Sequence, residues 1–201
     1  MRKTTMKILF LDFDGVITTY ESGWRIDLKK LELVDKIVES TNAKIVVTSS
    51  WKVGRNNVDD FKDYLCKDWK VGIKNETNQF KKFVASIYDI TDCHGSWRGD
   101  EIERWLDNHE EDVESYVILD DDSDFHDDQL FRFVQTDTYE GLTEREVKMC
   151  VSVLNNVKVP NPLRMNLELI TRWRNKCHVF DEENKTNNID ILLNEYYHSF
   201  S

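Results

Sequence analysis

Three short apolar runs that each stop at a polar cluster constrain this chain more than any other feature. Lys7-Ile8-Leu9-Phe10-Leu11 ends at Asp12, with Asp14 and Gly15 just beyond. Ala43-Lys44-Ile45-Val46-Val47 ends at Thr48-Ser49-Ser50. Tyr116-Val117-Ile118-Leu119 ends at Asp120-Asp121-Asp122-Ser123-Asp124. Runs this short, stopped by acids, hydroxyls or glycine, fit strands buried on both faces of a parallel sheet. Between the first two, Asp27 precedes Leu28, Leu31, Val34, Ile37 and Val38, which is helical spacing behind an N-cap. Strand, helix, strand is the βαβ order of an α/β fold with a parallel sheet flanked by helices.

Elsewhere the spacing predicts helices near 58–67 and 78–88, a loop over 89–97, and a helix from Arg98 through Ile102, Trp105 and Leu106. A short fourth strand is expected at Phe131–Gln135. Thr143 and Glu146 form a capping-box pair ahead of Val147, Cys150, Val151 and Leu154. Pro160 and Pro162 mark a boundary. The expected organisation is a catalytic domain over 1–158, in which 57–97 has room for a small insert, and a helical C-terminal extension over 159–201. Helical patterns at 164–177 and 188–198 carry apolar faces (Leu167, Leu169, Ile170; Ile189, Ile191, Leu192, Leu193) suited to docking on the sheet domain or on a second copy in a homo-oligomer.

The length, 201 residues, suits one α/β domain plus an extension. Lys plus Arg is 27 against 38 Asp plus Glu, a net charge of -11 that opposes non-specific binding to a nucleic-acid duplex unless a basic patch is concentrated locally. No apolar stretch has the length of a membrane span, and the first strand-length run leads straight into Asp12, unlike a signal peptide. Cys66, Cys93, Cys150 and Cys177 show no CxxC spacing and read as reduced thiols. A cytoplasmic location is the expectation.

The polar clusters fall at the carboxyl ends of strands, where open parallel sheets bind ligands. Asp12, Asp14, Asp120, Asp121 and Asp124 repel one another unless a cation neutralises them, and an all-oxygen ligand set suits Mg²⁺. Asp12 can attack phosphorus and form an aspartyl-phosphate. Asp14, two residues on, can protonate the leaving oxygen and later activate water. Thr48 and Ser49 can donate hydrogen bonds to the phosphoryl oxygens, and Arg98 offers a forked cation at a helix start. Taken singly, each has an ordinary explanation: a turn acid, a capping pair, a solvated acidic loop, a surface arginine. In this order they point together to phosphoryl transfer. His94, His109 and His126 suit loop and surface roles, because a hard cation does not prefer imidazole. Trp51, Trp97 and Tyr20 flank the motif residues, where an aromatic ring can stack on a base.

Leu11-Asp12-Phe13-Asp14-Gly15-Val16 resembles the first motif of the haloacid dehalogenase (HAD) superfamily, Val46-Val47-Thr48-Ser49 its second, and Val117-Ile118-Leu119-Asp120-Asp121 with Asp124 its fourth. More narrowly, Ser49-Ser50-Trp51, Arg98-Gly99-Asp100-Glu101-Ile102, Trp105-Leu106 and Gly141-Leu142-Thr143 resemble a compact HAD group of bacteria and phages, some of whose members are fused to RNA-repair modules. The match runs over about residues 7–155. The resemblance implies a Rossmann-like sheet, Mg²⁺, an aspartyl-phosphate and the residue roles above, with the backbone carbonyl of Asp14 also on the metal. For the third motif it implies Arg98, or else Lys44 or Lys52. For the fourth it leaves Asp120 with Asp124, or Asp121 alone, as metal ligands.

Only 33 residues separate Asp14 from Thr48, so no helical cap fits there, and 49–97 holds at most a small helical insert. An open site suits a bulky substrate: a nucleotide or the terminal phosphate of a nucleic acid ahead of sugar phosphates and phosphoproteins. Among other readings, a receiver domain has its acidic pair and acceptor Asp in the opposite order, and the GxxxxGK[ST] of a P-loop is absent. A phosphate-binding module that has lost turnover is opposed by the intact Asp12/Asp14 pair.

Overall fold

A computed structural model describes residues 5–67, 77–93, 97–109 and 112–155. All of these fall in the first of the two units of the chain, Met1–Val157. The helical patterns expected at 164–177 and 188–198, and the oligomer contacts expected of them, lie outside the described residues.

Five parallel strands form one sheet: β1 (Met6–Leu11), β2 (Lys44–Val47), β3 (Ile87–Ile90), β4 (Val113–Asp120) and β5 (Phe133–Gln135), in the order β3-β2-β1-β4-β5. Helices α1 (Leu28–Thr41), α2 (Val58–Lys67), α3 (Asn78–Ser86), α4 (Arg98–Asp107) and α5 (Glu144–Leu154) connect or follow them. This is the Rossmann-like α/β architecture expected from the sequence. Asp27 caps α1 by accepting from Lys29 N at 2.9 Å, and the Thr143/Glu146 capping box opens α5.

The two sheet faces separate by alternation. Leu9, Leu11, Ile45, Val47, Val117 and Leu119 point into one core, shared with Leu31, Val34, Phe61, Phe80, Phe83, Val147 and Cys150 from α1, α2, α3 and α5. Ile8, Phe10, Val46 and Ile118 point the other way, onto Ile102 and Trp105 of α4 and onto Phe125. Phe10 lies edge-on to both Trp105 and Tyr116, at centroid distances of 5.4 and 5.8 Å. Because β1 is buried on both faces, its sequence shows a continuous apolar run and no alternation.

Two segments differ from the sequence reading. The helix expected over 78–88 stops at Ser86, and Ile87–Ile90 is a strand, β3, pairing with β2 through Ile45↔Ile87 and Val47↔Ile90. The backbone passes from α3 to β3 with Ile87 as both helix C-cap and first strand residue, so no turn residue announces the change. The start of the expected Phe131–Gln135 strand is a 3-10 turn, Leu130–Arg132, and only Phe133–Gln135 pairs with β4.

The chain builds outward from β1 to β3, returns through α4, and continues from β4 to β5. The direction therefore reverses between β1 and β4. Crevices open at the carboxyl ends of strands at such a reversal, and here those ends are Asp12 and Asp120.

Candidate active site

Asp12 follows β1 and Asp120 ends β4, and Asp12 N donates to Leu119 O at 3.0 Å, which carries the sheet pairing up to the site. Both side chains are buried, Asp120 fully. Asp121 joins them: Asp12, Asp120 and Asp121 each present an oxygen within 4.8 Å of the others. Arg98, the first residue of α4, reaches over this group, with Nη1 2.7 Å from Asp12 Oδ1 and 3.1 Å from Asp120 Oδ2. The second contact is an ion pair without hydrogen-bond geometry, so Asp120 Oδ2 is buried with no hydrogen-bond partner among the described residues.

Burial raises the Asp12 carboxyl above its usual range, although Arg98, Ser49 and the Phe13 backbone all favour its charged form. Burial, reinforced by repulsion from Asp12, pushes Asp120 up to about 8. Arg98 is also raised, which for a base favours the charged form: burial disfavours its charge, but the carboxylates of Asp12 and Asp120 outweigh this. One guanidinium thus answers two buried carboxylates, with the third close by. A hard divalent cation fits this donor set, because three carboxylates converge and Asp120 Oδ2 is an unused buried ligand atom.

Gly15 makes the convergence sterically feasible. Its φ is +70°, and a Cβ there would lie 2.2 Å from Asp121 Cγ. The Asp121 carboxylate therefore sits where any larger residue 15 would put its side chain, and Thr138 Oγ1 donates to it at 2.7 Å. Gly141, at φ +70°, likewise lets the chain close on Val16 and Thr19, and Leu142 N donates to Val16 O at 2.9 Å. The Gly141-Leu142-Thr143 segment thus braces the first motif.

Asp14 and Asp124 lie outside the three-carboxylate group. Asp14 is oriented by three donor contacts: Thr18 Oγ1 at 2.8 Å and Trp51 Nε1 at 3.1 and 3.0 Å to its two oxygens. Asp124 caps α4 from a distant loop. Its Oδ2 accepts from Arg98 N at 3.3 Å and its carbonyl from Gly99 N at 3.2 Å, which fixes the helix start that carries Arg98.

Thr48 and Ser49 follow β2 and are buried. The Thr48 hydroxyl has no hydrogen-bond partner among the described residues. Ser49 bonds to Asp12 and caps the 3-10 turn Ser50–Lys52. The two lysines considered beside Arg98 divide. Lys44 is exposed at the opening of β2, at 5.9 Å over the Tyr88 ring. Lys52 is buried near the site, with Nζ 2.8 Å from Glu101 Oε2 and 3.2 Å from Thr48 O, and Thr91 adds a 3.3 Å bond to the same Glu101 oxygen. This ion pair ties the end of β2 to α4 across 49 positions of sequence. No local spacing signal reports it.

A groove of about 600 Å³ opens beside Asp14, lined by Trp24, Ser50, Trp51, Val53, Arg55 and Tyr64. Of the three aromatics expected to flank the site, only Trp51 is part of it. Trp97 and Tyr20 are exposed and do not line it. The sequence reading missed Trp24 and Arg55, which join Trp51 only once the 18–26 loop and the 50–55 segment have folded.

A family model described as the HAD domain in Swiss Army Knife RNA repair proteins matches residues 8–147, from the body of β1 into α5. The chain belongs to this family. No match was found among curated proteins or among solved structures. The HAD assignment agrees with the five-stranded parallel sheet and with acids at the carboxyl ends of β1 and β4, and membership supports a phosphatase-type role for this HAD domain. No described helix is long and apolar enough to cross a membrane.

Proposed function

We propose that the chain is a Mg²⁺-dependent phosphomonoesterase acting on nucleotides or on the terminal phosphates of nucleic acids. The observation that carries this is the meeting of Asp12, Asp120 and Asp121 beneath Arg98 at the sheet reversal, with Asp14, two residues after Asp12, lining a groove. HAD membership supports the reaction class, and the RNA-repair context of the family model supports the substrate class.

In this reading Asp12 is the nucleophile. A carboxylate oxygen forms a bond to phosphorus as the bond to the leaving oxygen breaks, and Asp14 gives its proton to that oxygen. Water then attacks the aspartyl-phosphate, Asp14 takes the proton, and inorganic phosphate leaves. The Thr48 hydroxyl, unpaired among the described residues, and the Ser49 hydroxyl supply donors to the phosphoryl oxygens. Arg98 supplies fixed positive charge, and Asp124 holds it in place by capping α4. Asp12, Asp120 and Asp121 would hold Mg²⁺, with the Asp14 carbonyl as a further ligand, and the ion would supply positive charge against the phosphoryl oxygens. Asp124 belongs with Arg98 in this scheme.

The test is hydrolysis of a chromogenic aryl phosphate with and without Mg²⁺, followed by a screen over nucleotides, end-phosphorylated oligonucleotides, sugar phosphates and phosphopeptides. The expected result is metal-dependent turnover, fastest on nucleotides or oligonucleotide ends. Full activity after exhaustive chelation contradicts the metal role, and efficient turnover of sugar phosphates alone contradicts the substrate class.

A further inference from the structure

The groove beside Asp14 has two walls of different origin. One is the loop between the Thr18↔Ile26 bridge partners, tied internally by Gly23 N to Tyr20 O at 3.0 Å, Trp24 N to Thr19 O at 2.9 Å, and the Ser22 hydroxyl to Arg25 O at 2.6 Å. The other is the segment from Ser50 to Arg55, backed by Tyr64 of α2. Trp24 is on the first wall, 47% exposed, with φ +57°. A bulky aromatic in the left-handed region is unfavourable, since glycine adopts that backbone freely. The loop holds a large ring exposed at a position whose backbone favours glycine.

Arg55 lines the other wall. Its guanidinium lies 4.1 Å over the Tyr64 ring, its Nη1 reaches only the neighbouring Gly54 O at 3.4 Å, and its Nε is buried without a hydrogen-bond partner among the described residues. No carboxylate pairs with it among the described residues. An arginine left without an acid, in a chain of net charge -11, is electrostatically complementary to an anion. The groove therefore offers an exposed indole, an apolar shelf at Val53, and a forked cation with no carboxylate partner among the described residues, and it is lined as well by Asp14.

We propose that this groove binds the leaving group as the last two nucleotides of a single-stranded nucleic-acid end, with the terminal base stacked on Trp24 and the adjoining phosphodiester on Arg55. This rests on the phosphomonoesterase reading above and deepens it. Mononucleotides, which lack the phosphodiester, occupy only the Trp24 half.

Three substrates separate the layers: acetyl phosphate, which reports chemistry without a base; a nucleoside monophosphate; and a ribodinucleotide with one terminal phosphomonoester. The wild-type order of kcat/KM is expected to be dinucleotide, mononucleotide, acetyl phosphate. Trp24→Gly relieves the backbone and should not lower Tm, yet it should cut the ratio of mononucleotide to acetyl phosphate kcat/KM by about tenfold, the scale of one lost base stack. Arg55→Gln should remove most of the dinucleotide-over-mononucleotide preference and flatten its salt dependence. Tyr88→Ala, an exposed aromatic on the edge strand, is the control and should change neither ratio. Wild-type turnover of acetyl phosphate with unchanged ratios in both groove variants overturns the groove assignment while leaving the phosphatase standing. If no substrate is turned over, the phosphatase reading fails, and equilibrium binding of the dinucleotide decides the groove. Binding weakened about tenfold by Trp24→Gly supports it, and unchanged binding overturns it.

Discussion

The two sides of the Asp12–Asp14 turn are built from different material. On the β4 side, buried carboxylates share one arginine, and charge is confined where water is excluded. On the β2 side, aromatic rings and one arginine line an open groove, and the only acid lining it among the described residues is Asp14. On the first side, each acid directly ends a sheet strand or adjoins one. The second depends on loop conformation, including a tryptophan in an unfavourable backbone region. On the proposed reading the sheet side carries the chemistry and the loop side the choice of leaving group, so changes on the two sides should have separable consequences.

The largest effect is expected at the junction. Asp12→Asn should leave the fold intact and reduce turnover of every substrate to below about a hundredth of wild type, a loss of more than about 2.7 kcal/mol in transition-state stabilisation. A variant that keeps more than that assigns the nucleophile elsewhere.

Asp120 tests the charged side alone. Its folded carboxyl is pushed up to about 8, above the unfolded value of about 4. Between these values the folded state holds a proton that the unfolded state has released, so the metal-free protein should lose stability as pH rises from about 4 to about 8. Mg²⁺ competes with that proton and should raise Tm more at pH 8 than at pH 5. Asp120→Asn should raise the metal-free Tm at pH 8, abolish the extra Mg²⁺ stabilisation there, and cost tens-fold in turnover, roughly 2 kcal/mol. Thermal melts at the two pH values, with and without Mg²⁺, read all three outcomes. A Mg²⁺ effect independent of pH removes Asp120 from the ligand set.

Trp51 bridges the two sides, because its ring lines the groove while its Nε1 holds Asp14. Trp51→Phe keeps a ring and deletes the donor. The expected cost is about tenfold, within the range for a hydrogen bond to a charged group. It should be larger for nucleotides than for acetyl phosphate, whose leaving group needs no proton. An equal loss on both substrates indicates that Trp51 serves packing against Phe13 and not Asp14.

The smallest effect on turnover at saturating Mg²⁺, and a clear one on stability, is expected from Gly15→Ala. The left-handed backbone costs a non-glycine residue about 1–2 kcal/mol. The new methyl also displaces the Asp121 carboxylate, so Mg²⁺ affinity should fall along with Tm. Loss of Tm with unaltered Mg²⁺ affinity would remove Asp121 from the ligand set.

The contrast between the two sides also explains what the sequence could reveal. Asp12, Thr48, Ser49 and Asp120 were legible because each follows or ends a buried strand, and a strand end is a position along the chain. Asp14, two residues past a strand end, was legible for the same reason. Arg98 was legible as a helix start, but its capping by Asp124, 26 residues away, was not. Spacing could not tell whether Asp121 or Asp124 joins Asp12, because the answer depends on how closely the chain can approach Gly15. The β3 strand was hidden because Ile87-Tyr88-Asp89-Ile90 continues without a turn from the helix before it. Trp24 and Arg55 were hidden because a groove wall is a property of loop conformation, and the buried Lys52–Glu101 pair because it joins distant segments.

The most direct test of the charged side is to locate the phosphoryl group on the enzyme. The protein is mixed with a labelled phosphoryl donor and Mg²⁺, quenched in acid within one turnover, and digested with trypsin. The account predicts label on the Ile8–Arg25 peptide, at Asp12, and none there in Asp12→Asn. Rapid phosphate release with no label on Asp12 would contradict it.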